Sequence, residues 1–328
     1  MFWNTRQLRA IFIGLALGPF PFFAPQASAA DLGASQRALL QGRAAEAINS
    51  LRGILAANPA DGPAHLLLCR AFYAEELPDQ SVSECEAALR TLGGNSEAQH
   101  WAGKAYGLKA DRSGPLTGYS MAKKVKASFE AAVNLDPMNG DAVDDLGEYY
   151  VAAPSIVGGG LDKAEALAAR VEAKLPERAL RLRALIAEKR KDYGTAEREF
   201  REHVQLSHGR DDTWLDLGSY YSRRKDYDKA ADALRNAYTS NHGKDASLLG
   251  VATALDTLGR DSALAIQALQ DYLAGGHWDD SAPTFRAHTL LAKFLAARGD
   301  KATAKIELNQ ALALAPDYDP AKKALAAL

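Results

Sequence analysis

The sequence has no surplus of positive charge, only two cysteines, and no apolar run of membrane-spanning length. Each shortage excludes something. With 39 Lys and Arg against 41 Asp and Glu, the formal net charge is -2. A general nucleic-acid binder needs excess cations to displace counterions, so that class is set aside. The seven histidines are scattered, and no pair has the spacing and acidic neighbour of a helix-borne zinc site. No serine carries the glycine spacing of a hydrolase elbow. Gly158 to Gly160 precede a helical pattern, where free amides accept anions. The lysine-and-hydroxyl ending of a phosphate loop is missing there, which leaves a flexible turn. His277-Trp278-Asp279-Asp280 is the one loop cluster with metal-ligating types. The expectation is a chain with no catalytic residues, no cofactor and no metal, and so not an enzyme.

What is present is enough to fold. Hydrophobic residues make up 47% of the chain and charged ones 24%, a composition that argues against disorder. The 328 residues suffice for two ordinary domains or one elongated array.

The N terminus stands apart. Arg6 and Arg9 are followed by the apolar run Ile11 to Gly18, three prolines, and Ala27-Ser28-Ala29. A basic start, a short apolar core and small residues at alternate positions make a secretory signal, with cleavage expected after Ala29. The other reading is an uncleaved anchor, against which stand the prolines and a run short of the roughly 20 residues a span needs. No cysteine sits at the cleavage site for lipid attachment. Periplasmic or secreted location is the expectation, with 37 basic against 41 acidic residues after removal of 1–29. Both cysteines, Cys69 and Cys85, fall in the exported part.

Internal repetition organises the rest. Trp214, Leu217, Gly218 and Tyr221 are followed by Tyr227, Ala230, Leu234 and Ala237. In a frame of about 34 residues, the small residues fall where antiparallel helices approach and the large ones fill between them. The frame recurs at Leu291, Ala292, Leu295, Ala304, Leu308, Ala311 and Pro316. It recurs again around Leu68 to Leu89, Ala102 to Pro137, Leu146 to Pro176 and Leu180 to Phe200, and more weakly around Leu248 to Leu273. This pattern closely resembles the tetratricopeptide repeat family. The resemblance implies an all-α fold, a right-handed superhelical solenoid of eight helix pairs. Approximate repeats are 30–61, 62–95, 96–139, 140–176, 177–210, 211–244, 245–283 and 284–318, with a capping helix at 319–328.

Three stretches depart from the frame: 107–122, 153–161 and 275–283. Their glycines and prolines predict loops, either functional or products of drift at a tolerant surface. His65 and His288 share one frame position, where packed or half-buried histidines are expected. Cys69 and Cys85 take frame positions 8 and 24, on facing sides of a helix pair. A disulfide between them is expected, against the alternative of two buried thiols. Asp141, Asp144, Asp145 and Glu148 cluster on one first helix, and Arg178, Arg181, Arg183, Lys189, Arg190 and Lys191 on and after the next. Mutual pairing across the stack and a basic patch for an acidic peptide or lipid head groups are the two readings.

The resemblance also implies a groove lined by first helices. Counting along them gives Arg70, Tyr73, His100, Lys104, Asp144, Glu148, Arg181, Ser219 and Lys293 as candidate partner-binding residues. The lysine-and-asparagine set some family members use on a C-terminal carboxylate is absent. The expected function is a scaffold or adaptor holding a peptide or partner protein, touching a membrane only through that partner. A small-ligand or glycan-binding accessory subunit of an envelope complex is the alternative.

Overall fold

The computed structural model describes residues 29–243, 245–276, 278–279 and 281–328. The expected leader lies outside the described residues except for Ala29, as do His277 and Asp280 of the loop cluster.

Eight helix pairs follow in order: α1 Ala29–Leu40 with α2 Ala44–Ala57, α3 Gly62–Ala74 with α4 Pro78–Leu92, α5 Ser96–Asp111 with α6 Pro115–Leu135, and α7 Gly140–Ala152 with α8 Leu161–Val171. Then come α9 Pro176–Lys189 with α10 Tyr193–Leu206, α11 Asp211–Arg223 with α12 Tyr227–Ser240, α13 Ser247–Leu258 with α14 Ser262–Gly275, and α15 Thr284–Ala297 with α16 Lys301–Leu314. A last helix, α17 Asp319–Ala327, covers the end. Among the described residues there is no strand, and no helix is long and apolar enough to cross a membrane.

Local chemistry sets the helix starts. Asp61, Asn95, Asn139, Asp192 and Asp300 each accept a backbone N–H three residues on, at 3.0, 2.8, 3.1, 3.2 and 3.0 Å. Each satisfies one of the donors a helix start leaves open. Proline opens α3, α4, α6, α9 and α17, where its missing N–H costs nothing.

Packing then follows the small residues. A Cβ placed on Gly218 would lie 2.9 Å from the Leu234 side chain, so α11 and α12 close to a distance only glycine allows. The same holds for Gly103 in α5, where the Phe129 ring of α6 fills the space. Buried side chains form a series of clusters, each shared by helices of adjoining repeats, as in other nearest-neighbour arrays.

Polar ties lock neighbouring repeats. Tyr106, Tyr150 and Tyr221 each donate to a glutamate of the preceding repeat's second helix: Glu86 at 3.1 Å, Glu130 at 2.7 Å and Glu197 at 2.8 Å. Burial, and next to it the carboxylate each phenol meets, pushes all three tyrosines above their ordinary range. Within repeats, His65 meets Glu84 at 2.5 Å and His288 meets Glu307 at 2.6 Å, both across 19 positions. The two histidines are half-buried and serve the same structural role twice. The expected disulfide is present: Cys69 and Cys85 join α3 to α4, with Cα atoms 5.1 Å apart.

The stretch 107–122 corrects the sequence reading. It is not a loop: α5 runs on to Asp111, α6 starts at Pro115, and only residues 112–114 connect them. Pro115 stands in a first turn and so begins a helix instead of breaking one. The 153–161 segment is a turn with a short 3-10 helix, Ser155–Val157. It is held by Tyr149, whose hydroxyl reaches the carbonyls of Val157 at 2.8 Å and Ala122 at 2.9 Å.

The array also closes on itself. Ala44 and Ala74 of the first two repeats are buried in one cluster with Phe285, Leu308, Tyr318 and Ala321 of the last repeat and cap. Thr284 donates to the Gln41 carbonyl at 3.3 Å. Glu76, in the α3–α4 turn, meets Arg286 of α15 at 3.4 Å. The eight pairs complete one turn whose ends touch along a seam.

Candidate functional site

The first helices of the repeats form the inner wall, which divides into two unlike halves. From repeat two to repeat six its charges answer one another. Arg70 pairs with Glu97 at 2.7 Å and lies 5.0 Å over the Trp101 ring. Tyr73 meets Trp101 edge-on at 5.5 Å, and the Lys104 ammonium sits 4.3 Å from the same ring centroid. His100, 7% exposed in its side chain, bonds Asp145 of the next first helix at 2.7 Å.

Further along, Arg178 pairs with Asp144 and lies 3.6 Å from Asp141. Arg181 is the hub. It pairs with Glu148, reaches Asp216 at 2.9 Å and lies 3.8 Å from Asp144. These three carboxylates hold the Arg181 guanidinium firmly charged despite its burial. Arg183 turns to Glu172 at 2.7 Å and Glu199 at 3.3 Å, and Arg190 to Glu165 at 2.5 Å. Arg178 and Arg181 therefore pair with Asp141, Asp144 and Glu148 of the preceding first helix, as the pairing reading expects, while Arg183 and Arg190 turn to acids outside that cluster.

The other half holds a cavity of about 1050 Å³. Its walls come from α11, α13 and α15, with Tyr318, Pro320 and Ala324 at the capped end and Glu76 from across the seam. Leu215, Leu249, Leu290 and Ala254 supply an apolar surface. Ser219, Ser222, Ser247 and Ser281 also line it, and their hydroxyls make no hydrogen bond among the described residues. The threonines differ: Thr253, Thr257 and Thr289 donate to carbonyls of their own helices at 2.8, 3.0 and 2.7 Å. Arg223 is held by Glu188 through two bonds of 2.9 and 2.8 Å, and Lys293 by Asp256 at 2.6 Å. A mainly apolar chamber with a few placed polar groups is the usual form of a ligand site. Among the described residues no group of three or more His, Cys, Asp or Glu side chains is placed to hold a metal ion.

Of the nine candidate groove residues, only Ser219 and Lys293 line this chamber. The other seven lie in the paired half or beside it. The sequence count had no way to reach Glu76, which sits in a turn, or Tyr318 and Ala324 of the capped end. Arg286, Asp256 and Thr253 lie on first helices but were passed over by the spacing used.

Two tetratricopeptide repeat family models match the sequence, at residues 38–105 and 285–318. The chain is a tetratricopeptide repeat protein. No curated protein matches it. Among solved structures, this repeat protein is similar to yeast Tom70, with 17% identity, a TM-score of 0.50, and coverage of 87% of this chain and 58% of that one. A tetratricopeptide repeat protein from Parabacteroides merdae aligns with 15% identity and a TM-score of 0.42, covering 90% of this chain and 96% of that one. The Cut9–Hcn1 assembly of APC/C aligns with 15% identity and a TM-score of 0.39, covering 92% and 56%. The chain thus spans little more than half the length of two of these three. At such identities the likeness concerns the fold. Tetratricopeptide repeats serve as protein-interaction scaffolds, and that general role follows for this member.

Proposed function

We propose that the protein is an exported scaffold that holds a segment of a partner protein against its inner wall, in the chamber of repeats six to eight. The observation that carries this is the chamber itself: apolar walls and four uncommitted serine hydroxyls, lined by successive first helices. The paired half of the wall has its charges already satisfied by neighbours, so a ligand gains less there. Ser219 and Lys293 are then contact residues. Arg70, Tyr73, His100, Lys104, Asp144, Glu148 and Arg181 shape the wall beside them. Export is supported by the basic start, apolar run and Ala27-Ser28-Ala29 of the leader, and by a cystine that suits an oxidising compartment.

Photo-crosslinking tests the reading. A photoreactive residue in place of Thr253 or Leu290, and one in place of Lys305 on α16 as control, are compared in cells expressing the full chain. Discrete adducts from the two chamber positions and none from position 305 are expected. Equal labelling at all three sites, or no adduct at the chamber, would refute it.

A second reading has its own observation. The cap and Glu76 wall the chamber on sides that an open groove leaves free, which suits a compact small ligand such as a glycan. A thermal shift with small sugars and no protein adducts would favour it.

A further inference from the structure

Arg286 belongs to both the seam and the chamber, and its charge is under-compensated. Glu76 is the only carboxylate within ion-pair reach of it among the described residues, at 3.4 Å. That carboxylate is already engaged by Arg112, which grips both its side chain and, at 2.8 Å, its backbone carbonyl. One acid thus serves two guanidiniums. The Nε of Arg286 is buried without any hydrogen-bond partner. The Arg286 side chain is nonetheless 28% exposed, so its reachable part keeps room for a charged acceptor, the partner a guanidinium binds most strongly. The other cations at the chamber are committed: Arg223 to Glu188 and Lys293 to Asp256. Asp256 is spent in the same way. The chamber therefore presents one cation with spare capacity and no spare anion.

We propose that the segment received in the chamber carries a side-chain carboxylate, and that Arg286 is the residue that binds it, beside the seam. This rests on the scaffold reading above and adds the chemistry of the partner. The apolar walls take small side chains, the serine hydroxyls meet backbone amides and carbonyls, and the acidic group completes the coordination of Arg286. Because Arg286 also reaches Glu76, an occupied chamber brings a second acid to the junction of the two ends.

The test uses the full chain and two acetylated, amidated hexapeptides of alanine and serine, one with a central glutamate and its glutamine twin. Affinity is measured by calorimetry at low salt. The glutamate peptide is expected to bind roughly tenfold more tightly, the scale of one charge-assisted hydrogen bond. Arg286→Gln should erase that difference. Arg286→Lys keeps a cation for Glu76 but lacks the guanidinium fork, and should also lose most of the preference. If Arg286→Gln melts early, Arg286→Lys carries the test alone. Equal affinity of the twins for the parent chain overturns the proposal while leaving the crosslinking result, and with it the scaffold reading, untouched. So does a glutamate preference that survives in a folded Arg286 variant, or absence of binding by both peptides.

Discussion

The hydroxyl of Thr284 donates to the backbone carbonyl of Gln41 at 3.3 Å, joining positions 243 residues apart. The contact leaves no room beside it. Gly42 has φ +71, and a Cβ built there would stand 2.1 Å from the Thr284 hydroxyl and 2.9 Å from its amide.

Gly42 therefore tests the closure directly. Gly259 is the control, because its φ of +66 is similar and a Cβ there meets nothing within 4 Å. Gly259→Ala should cost about 1 kcal/mol, the penalty of a left-handed backbone for an L residue. Gly42→Ala should cost that plus about 1–3 kcal/mol of overpacking. Only the Gly42 variant should enlarge the radius of gyration in solution scattering. Equal losses and equal radii would show that the ends are not in firm contact.

Glu75 makes the seam sensitive to pH. It is 2% exposed, and burial first, then Asp317, raises its carboxyl to about 7, against the pull of Lys322 and Arg52. The folded protein thus holds this proton more tightly than the unfolded chain does, whose carboxyl titrates near 4.3. Between those values the native state binds more protons, so stability falls as pH rises from about 4.5 to about 7. The loss is on the order of 3 kcal/mol. Melting at pH 5 and pH 8 should show it. Glu75→Gln should flatten the difference between the two. An unchanged pH profile in that variant would assign the effect elsewhere.

The cystine should contribute measurably to stability, because it ties α3 to α4 across 16 residues. Closing a loop of this length contributes about 3 kcal/mol. Cys69→Ser with Cys85→Ser, or mild reduction, should lower the urea midpoint accordingly. A midpoint unmoved by reductant would mean that the bond adds nothing to the native state.

Arg181 and Arg235 should separate buried from exposed pairing. The Arg181 side chain is 17% exposed amid three carboxylates, and Arg181→Met leaves those charges facing one another. The expected cost is about 3 kcal/mol. Arg235 pairs with Asp232 at 2.9 Å with both side chains at least half exposed, and Arg235→Ala should cost under about 1 kcal/mol. Paired denaturation curves measure both. Similar small losses would mean that the Arg181 cluster is solvated.

The repeat could be read from the sequence because its signal is local. Gly103, Gly218 and Ala230 recur at fixed distances from the residues they admit, and His65 and His288 repeat the same pairing. The cystine was legible for the same reason, since both thiols face one interface. The insert at 107–122 was misread because Gly114, Pro115 and Gly118 look like breakers. Proline in a first turn is compatible with a helix, and the length of α5 gives α6 a surface to continue against. The seam was beyond reach for another reason. It depends on the sum of small rotations between repeats, and no residue near Gln41 or Thr284 encodes that sum. The chamber inherits the difficulty: the same frame positions occur in every repeat, and spacing does not say which side chains find partners on the neighbouring helix.

A closed turn also constrains ancestry. Open arrays lengthen or shorten by whole units, since each unit asks only for two flanking neighbours. Here a ninth unit would carry Thr284 past Gln41, and a seventh alone would leave it short. Duplication, the ordinary way such families grow, is barred to this protein unless the junction is rebuilt at the same time.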